Sequence, residues 1–260
     1  MNRAAAAGGY TVAFVALFLL AVWTPTGQLL DASSLSAFPL LRSEGWMRLY
    51  GSRGLVAIGL LLFAGLAVGW AMLAGRIGDG LRGALLLVVT AQASSWLDSA
   101  LVRPDLGDFA YPYNTFPSGH TAISLAAVVT IVWALRLSQS MECLLVASVL
   151  FVGAASLLSF AHRASDIVGA TLLTGVLVSV VALISSRYGR RVAADSKSLR
   201  VARNLLALAL GLLVVAFVLA DSSSAEAAAA ALVALASLLG LAGISILIVR
   251  QERRAQISVL

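Results

Sequence analysis

Long apolar segments, each about the length of a lipid bilayer crossing, are the feature that most constrains this fold. A membrane-spanning helix needs about 20 predominantly apolar residues, and eight segments of the chain meet that description. They lie at residues 6–23, 54–75, 84–102, 119–137, 143–161, 167–186, 204–220 and 227–249. Within a bilayer, backbone polar groups must be satisfied inside the segment, so such segments are helices. The sequence therefore predicts an all-α, polytopic membrane helix bundle, multi-pass in the cell membrane.

The composition supports the same class of protein. Hydrophobic residues make up 60% of the chain and charged residues only 12%, whereas soluble domains carry roughly 25% charged residues. The net charge of +6 does not indicate nucleic-acid binding, because membrane proteins carry an excess of arginine on their cytoplasmic side. We expect membrane lipids, and no nucleic acid, as partners. The first segment lacks a strongly basic start and a clear cleavage site, which favours a retained helix over a signal peptide.

The distribution of Arg and Lys predicts the orientation. With a cytoplasmic N-terminus, the inside segments hold 13 of these residues and the outside loops hold 5. Cytoplasmic loops carry the excess of Lys and Arg, so both termini are predicted to be cytoplasmic. The strongest contribution comes from the basic loop 187–203, for which contact with anionic lipid is the simplest interpretation.

The outer loop 24–53 contains a stretch in which Trp46 and Tyr50 alternate with arginines. This pattern is typical of an amphipathic helix lying on the membrane surface. Two functions remain open for it: guiding a lipid substrate toward a site, and simple anchoring at the interface.

Small residues add two minor expectations. Gly65 and Gly69 form a G-x-x-x-G pattern, which indicates close helix packing. Cys143 is the only cysteine, which excludes an intramolecular disulfide, and we expect its thiol to be buried.

Both histidines of the chain lie at the outer ends of predicted spans. His162 is followed by Asp166 in "FAHRASDIVGA", and residues four apart share one face of a helix. The carboxylate can then hold one imidazole nitrogen while the other nitrogen points outward as a base or nucleophile. The spacing alone is a weak motif.

The second histidine lies in "NTFPSGHTAI", residues 114–123, at the start of the fourth span. Pro117 suits the first turn of a helix, and the free N–H groups and positive dipole of that helix end favour an anion. Arg103, at the end of the preceding span, adds a planar, permanently charged group that matches phosphate. A helix N-terminus, an arginine and two histidines are the groups that a phosphoryl-transfer site needs.

These residues resemble the three motifs of the type 2 phosphatidic acid phosphatases, a superfamily that includes polyprenyl-pyrophosphate phosphatases and vanadium haloperoxidases. The matching residues are Arg103-Pro104, then Pro117-Ser118-Gly119-His120, then His162 and Asp166. The first two motifs flank one outer loop, and the third follows one helix hairpin later. The resemblance covers about residues 54–186, and "FPSGH" is its specific part.

The resemblance implies a phosphatase that needs no metal and no cofactor. His162 would attack phosphorus and form a phosphohistidine, which Asp166 would orient and stabilise. His120 would protonate the departing lipid oxygen and then help to activate water. Arg103, Ser118 and the N–H of Gly119 would hold the phosphate oxygens.

The sequence departs from the family at two phosphate-binding cations. The first motif usually carries a lysine seven residues before the arginine, where this chain has Trp96. The third usually begins with Ser-Arg, where this chain has Ala155 and Ser156. A charged hydrogen bond contributes about 1.5–3 kcal/mol, so losing two of them slows catalysis by orders of magnitude unless another group replaces them. We expect Arg163 to supply part of the missing charge.

The resemblance also implies a division of the chain. Residues 1–186 form a six-helix, lipid-phosphatase-like core with its motifs within 96–166, and 187–203 form the cytoplasmic loop. Residues 204–249 add two uncharged spans, expected to serve packing or contact in a homo-oligomer, and 250–260 form a short basic tail.

The sequence leaves two functions open. The first is hydrolysis of a lipid phosphate or polyprenyl diphosphate at the extracytoplasmic face. The second is a diverged, weak or inactive member that binds a lipid phosphate or a membrane protein partner. A transporter would more naturally carry charged or broken helices in the middle of the membrane, and few are present.

Overall fold

The structure is a computed structural model that describes residues 3–107, 113–135, 137–184, 196–219 and 225–257. Within these residues the chain forms α-helices and short 3-10 turns but no strand, which confirms the predicted all-α bundle. The helices are α1 (Arg3–Val22), α2 (Pro25–Ser33), α3 (Glu44–Gly51), α4 (Arg53–Leu73), α5 (Ile77–Ala100), α6 (Gly119–Ala134), α7 (Gln139–Leu158), α8 (Ala164–Ile184), α9 (Ser196–Leu219) and α10 (Glu226–Ile257).

Five helical segments among the described residues are long and apolar enough to cross a membrane. They are Arg3–Val22, Glu44–Leu73, Gln139–Leu158, Ala164–Ile184 and Glu226–Glu252. The predicted spans 84–102, 119–137 and 204–220 fall on α5, α6 and α9, and α6 is a shorter apolar helix of 16 residues. The chain is thus a helical membrane bundle, while the total of eight spans and the orientation of the termini stay predictions.

The two helices that follow the histidine motifs lie at the centre of the bundle. Nearly every residue of α6 from Thr121 onward is buried, as is most of α8. A helix that is apolar on all sides belongs in a core. Helix α6 packs against α4, α5, α7, α8 and α10, and α8 packs also against α1 and α5. The candidate site therefore stands on the most enclosed elements of the fold.

Helix α10 is part of this core rather than an addition to it. Leu241 is fully buried, and a Cβ built on Gly153 of α7 would lie 2.4 Å from its Cδ2, so the leucine fills the space that the glycine leaves. At the other end of the helix, Glu252 pairs with Arg3 at 3.2 Å and accepts a hydrogen bond of 3.0 Å from the indole of Trp133. α10 thereby ties α1, α6 and α7 together.

Two segments have different boundaries in the structure from those that the sequence predicted. Residues 187–195 of the predicted basic loop lie outside the described residues, and 196–203 form the first turns of α9. The basic tail 250–260 continues α10 as far as Ile257, and its last three residues lie outside the described part.

Three small residues lie on surfaces. No heavy atom of the described residues lies within 4 Å of a Cβ built on Gly65 or Gly69, so this glycine pair makes no close helix contact there. Cys143 is exposed on α7, so the expectation of a buried thiol is wrong. Apolar hydropathy around a residue does not specify which side of a helix faces the core.

Candidate functional site

The N-terminus of α6 is closed by Ser118. Its hydroxyl oxygen accepts a hydrogen bond from the N–H of Thr121 at 3.5 Å and lies 3.1 Å from the Thr121 hydroxyl. Its own N–H donates to the carbonyl oxygen of Asp166 at 3.0 Å. This last bond joins the start of α6 to the first turn of α8. The Ser118 side chain is fully buried and acts here as a helix cap.

The segment before α6 is fixed by an aromatic side chain. Phe116 is fully buried, with its ring centroid 5.1 Å from that of Phe14 and 5.4 Å from that of Phe18 on α1. On its other side a Cβ built on Gly169 of α8 would lie 2.3 Å from the Phe116 ring. The ring can occupy this place only because residue 169 has no side chain.

His162 and Asp166 meet, although His162 lies in the turn before α8 and not on one helix face with Asp166, and Thr115 joins them. Nδ1 of His162 lies 3.4 Å from Oδ2 of Asp166 and 3.2 Å from the carbonyl oxygen of Thr115. Oδ2 also accepts hydrogen bonds from the Thr115 hydroxyl at 2.5 Å and from the N–H of Arg163 at 2.9 Å. The Asp166 side chain is fully buried, while that of His162 is 16% exposed.

This arrangement determines which imidazole nitrogen is left for chemistry. Both neighbours of Nδ1 are acceptors, so a proton on Nδ1 is favoured. The neutral His162 ring then carries its lone pair on Nε2, the nitrogen that a nucleophile or base would use.

The turn that carries His162 is held by the end of α7. The carbonyl oxygen of Ser156 accepts hydrogen bonds from the N–H of Ala161 at 3.0 Å and from that of His162 at 3.1 Å. Between them Phe160 adopts the left-handed conformation, with φ of 60°. These bonds reverse the chain between α7 and α8 and place the histidine at their junction.

Arg163 is the largest fully buried side chain in the described part of the protein. Its Nη1 donates to the carbonyl oxygen of Tyr113 and to the hydroxyl of Thr115, both at 3.4 Å. The guanidinium therefore lies behind the His162–Asp166 pair and holds the segment before α6.

His120 lies in the first turn of α6 and is exposed. A Cβ built on Gly54 of α4 would be 3.9 Å from its Nε2.

Arg103 makes an ion pair that the sequence did not predict. Its Nη2 donates to Oδ2 of Asp31 on α2 at 3.3 Å, and both side chains are only 3% exposed. Asp31 also accepts hydrogen bonds from the N–H and the hydroxyl of Ser165, each at 2.8 Å. Burial and the charge of Asp166 raise the pKa of Asp31 to about 6, although Arg103 and Ser165 act in the opposite direction.

Helix α2 presents one polar face to the site. Gln28 donates to the carbonyl oxygens of Val22 at 2.7 Å and Pro104 at 2.8 Å. Three residues after Asp31, the Ser34 hydroxyl accepts from the N–H of Ala164 at 3.1 Å. Asp31 and Ser34 thus cap the N-terminus of α8, while Gln28 and Asp31 hold the Arg103-Pro104 motif.

The two positions without the usual cations differ in their surroundings. Trp96 is 67% exposed on the outer side of α5, so a side chain there faces away from the bundle. Ser156 is fully buried, and its hydroxyl donates to the carbonyl oxygen of Val152 at 2.7 Å. The residue of α5 that faces the site is Ser94, whose Oγ would lie 3.8 Å from a Cβ built on Gly119.

Sequence reasoning missed Thr115 and Asp31. Thr115 immediately precedes the "FPSGH" motif, and its hydroxyl, a hydrogen-bond donor beside the motif, was the available indication. Asp31 follows Gln28 by three residues and precedes Ser34 by three, a spacing that puts the three on one helix face. That polar face in an outer loop was the available indication.

No family model, curated protein or solved structure matches this chain. The interpretation of the site therefore rests on its own geometry and on the motif residues.

The geometry supports specific chemistry. A half-buried imidazole with one nitrogen fixed lies beside the segment that leads into α6, and the first turn of α6 carries a second histidine. No three His, Cys, Asp or Glu side chains of the described residues gather as a possible metal-binding group. The groups present are those of an acid–base and nucleophilic site for an anionic substrate.

Proposed function

We propose that this protein is a membrane phosphatase that hydrolyses a lipid phosphate or a polyprenyl diphosphate at the extracytoplasmic face. The observation that carries the proposal is the fixed His162 ring, whose Nδ1 lies 3.4 Å from the Asp166 carboxylate and 3.2 Å from the Thr115 carbonyl oxygen. The resemblance of the motifs to the type 2 phosphatidic acid phosphatases supports the same activity. The excess of Arg and Lys in the opposite loops supports the outward orientation.

In the first step, Nε2 of His162 attacks phosphorus, an N–P bond forms and the bond from phosphorus to the lipid oxygen breaks. The departing oxygen takes a proton from His120, so a neutral alcohol or the shorter phosphate leaves. The positive charge that develops on the His162 ring is stabilised by the buried Asp166 carboxylate. No metal ion takes part in the bond changes of this scheme.

In the second step, water attacks the phosphohistidine. His120, now neutral, accepts a proton from that water, the N–P bond breaks and inorganic phosphate leaves. His162 regains its neutral ring and His120 its proton. During both steps the N–H groups at the start of α6, beginning with Gly119, face the charge on the phosphate oxygens.

One observation favours a second candidate, a member that binds a lipid phosphate without efficient turnover. Arg103, the expected phosphate ligand, is already paired with Asp31. Ser118 is likewise engaged as a helix cap. The Ser118 hydroxyl would have to change partners to bind a phosphate oxygen, and Nη2 of Arg103 is already bound to Asp31.

Phosphate release from purified protein tests the proposal. In detergent with a chelator, the protein should release phosphate from polyprenyl diphosphate or phosphatidate, and His162→Ala should abolish release. With a substrate labelled in the transferred phosphate, protein quenched during turnover should carry acid-labile label. His120→Ala loses the acid of the first step and the base of the second, so it should slow phosphate release. Leu40→Ala, at a residue 92% exposed in the outer loop, serves as the control and should match the unmodified protein.

Two outcomes oppose the proposal. Release that survives His162→Ala would exclude the phosphohistidine route. Binding of phosphatidate without release, unaffected by His162→Ala, would establish the second candidate.

A further inference from the structure

The carboxylate of Asp31 occupies a position built for an oxyanion. Its two oxygens accept hydrogen bonds from a helix N-terminal N–H and a hydroxyl, both of Ser165, and from the guanidinium of Arg103. A helix N-terminus and an arginine are the groups that bind phosphate in proteins. Asp31 thus takes up donors that a phosphate oxygen would otherwise use.

The ion pair uses only part of Arg103. Nη2 binds Asp31, while Nη1 is buried and has no hydrogen-bond partner in the described structure. An unpartnered buried donor of a charged group carries a desolvation cost, which a bound anion would remove. The charge of the guanidinium, however, is balanced by the carboxylate beside it.

The position of this pair relates it to the reaction site. Ser165, which donates to Asp31, immediately precedes Asp166, whose Oδ2 lies 3.4 Å from Nδ1 of His162. A phosphate held at His162 would approach an arginine whose charge Asp31 already balances.

We propose that Asp31 is an affinity-determining residue, an internal counter-ion of Arg103 that weakens binding of the substrate phosphate group. The inference rests on the proposed function and adds a residue that sets its affinity for phosphate. Its removal should strengthen phosphate binding, whereas loss of a merely structural contact would weaken it.

Asp31→Asn separates these two effects. The amide oxygen can still accept from the Ser165 N–H, and the amide nitrogen can donate to the Ser165 hydroxyl. Only the charge and the acceptor facing Arg103 are lost. We expect the dissociation constants of inorganic phosphate and of a short-chain phosphatidate to fall on the order of tenfold, the value of one charged hydrogen bond. Asp31→Ser, which also removes the charge, has the same expected direction of change and serves if the first variant does not fold.

A double-mutant cycle assigns the effect to the pair. In an Arg103→Gln background, Asp31→Asn should change phosphate affinity by less than about twofold, because the charge that it releases is absent. Ser34→Ala is the matched control on the same polar face, since it removes the bond to the Ala164 N–H without changing charge. It should lower the melting temperature and leave phosphate affinity unchanged.

Binding and turnover are measured separately, so the two proposals can fail independently. Weaker or unchanged phosphate affinity in both neutral variants overturns the role of Asp31, and so does a gain that persists in the Arg103→Gln background. Tighter binding of inorganic phosphate alone would mean that Asp31 weakens binding of the free product. Tighter binding of both ligands would mean that it weakens binding of the lipid headgroup as well. Either result supports the role of Asp31. Absence of turnover in protein that shows the affinity gain overturns the phosphatase activity alone.

Discussion

Thr115 donates its hydroxyl hydrogen to Oδ2 of Asp166 across 2.5 Å, and this bond joins the segment before α6 to the first turn of α8. The same residue offers its carbonyl oxygen to Nδ1 of His162 at 3.2 Å. Thr115 therefore holds both members of the candidate catalytic pair in place without touching the reacting atoms.

Thr115→Val should lower turnover by roughly 10- to 100-fold. The valine keeps the shape but removes a charge-assisted hydrogen bond worth about 1.5–3 kcal/mol, and tenfold in rate corresponds to about 1.4 kcal/mol. The loss should fall on kcat rather than KM, because Thr115 orients the nucleophile and does not bind substrate. Steady-state phosphate release measures both constants.

Thr115→Ser is the control for this change. It retains the hydroxyl, so most of the turnover should return. Equal losses in the serine and valine variants would mean that the hydroxyl has no part in orienting His162.

Gly169 is expected to tolerate no side chain. A methyl group there would lie 2.3 Å from the Phe116 ring, so Gly169→Ala must displace the ring that anchors the segment carrying Thr115. Overpacking of this kind costs about 1–3 kcal/mol. We expect a lower melting temperature in detergent together with reduced phosphate release.

Gly240→Ala is the matched glycine control. The added methyl would meet Val168 at 3.6 Å, an ordinary contact, and alanine is the better helix former by up to about 1 kcal/mol. Its melting temperature should stay equal or rise. A fall as large as that of Gly169→Ala would show that steric conflict with Phe116 is not the cause.

Arg163→Ala should lower lipid-phosphate turnover by at least about tenfold. The guanidinium is fully buried and bonded to Tyr113 and Thr115, so its removal takes a positive charge and two donors from beside the His162–Asp166 pair. Arg48→Ala removes an exposed arginine in α3 and should leave turnover unchanged. Undiminished turnover in Arg163→Ala would refute the hypothesis that Arg163 replaces a missing cation.

The sequence predicted the parts of the fold and site that depend on local periodicity. Apolar length identified the helical bundle, and the spacing of four residues placed the Asp166 carboxylate beside His162. The start of α6 at Gly119 agrees with the predicted span, but Pro117 precedes the N-cap Ser118 and does not lie in the first helical turn as expected. Each of these features is determined by residues within one or two helical turns.

The features that the sequence did not predict depend on contacts between residues far apart in the chain. Thr115 and Asp166 are 51 residues apart, and Asp31 and Ser165 are 134 apart. No local pattern determines which outer-loop residue reaches the N-terminus of α8. The same reason applies to α10. The sequence left packing and homo-oligomer contact open for its apolar part, and the structure places Leu241 in the space at Gly153.

The stability of the folded protein should depend on pH through Asp31. Burial and the charge of Asp166 raise its pKa from 3.8 to about 6 against the opposing effect of Arg103. The folded state then binds the proton more tightly than the unfolded chain does. The stabilisation is fully present below about pH 4 and is lost as pH rises through about 6. Two pKa units correspond to roughly 3 kcal/mol.

Asp31→Asn removes this titration, so the comparison isolates it from the other carboxylates. The melting temperature of the unmodified protein minus that of Asp31→Asn, measured in detergent from pH 4 to pH 7.5, should fall with rising pH and level off above about pH 7. If the melting temperatures of the two proteins change in parallel over that range, so that their difference stays constant, Asp31 keeps its ordinary pKa. A difference that rises with pH would mean that the Arg103 ion pair outweighs burial and lowers the pKa of Asp31.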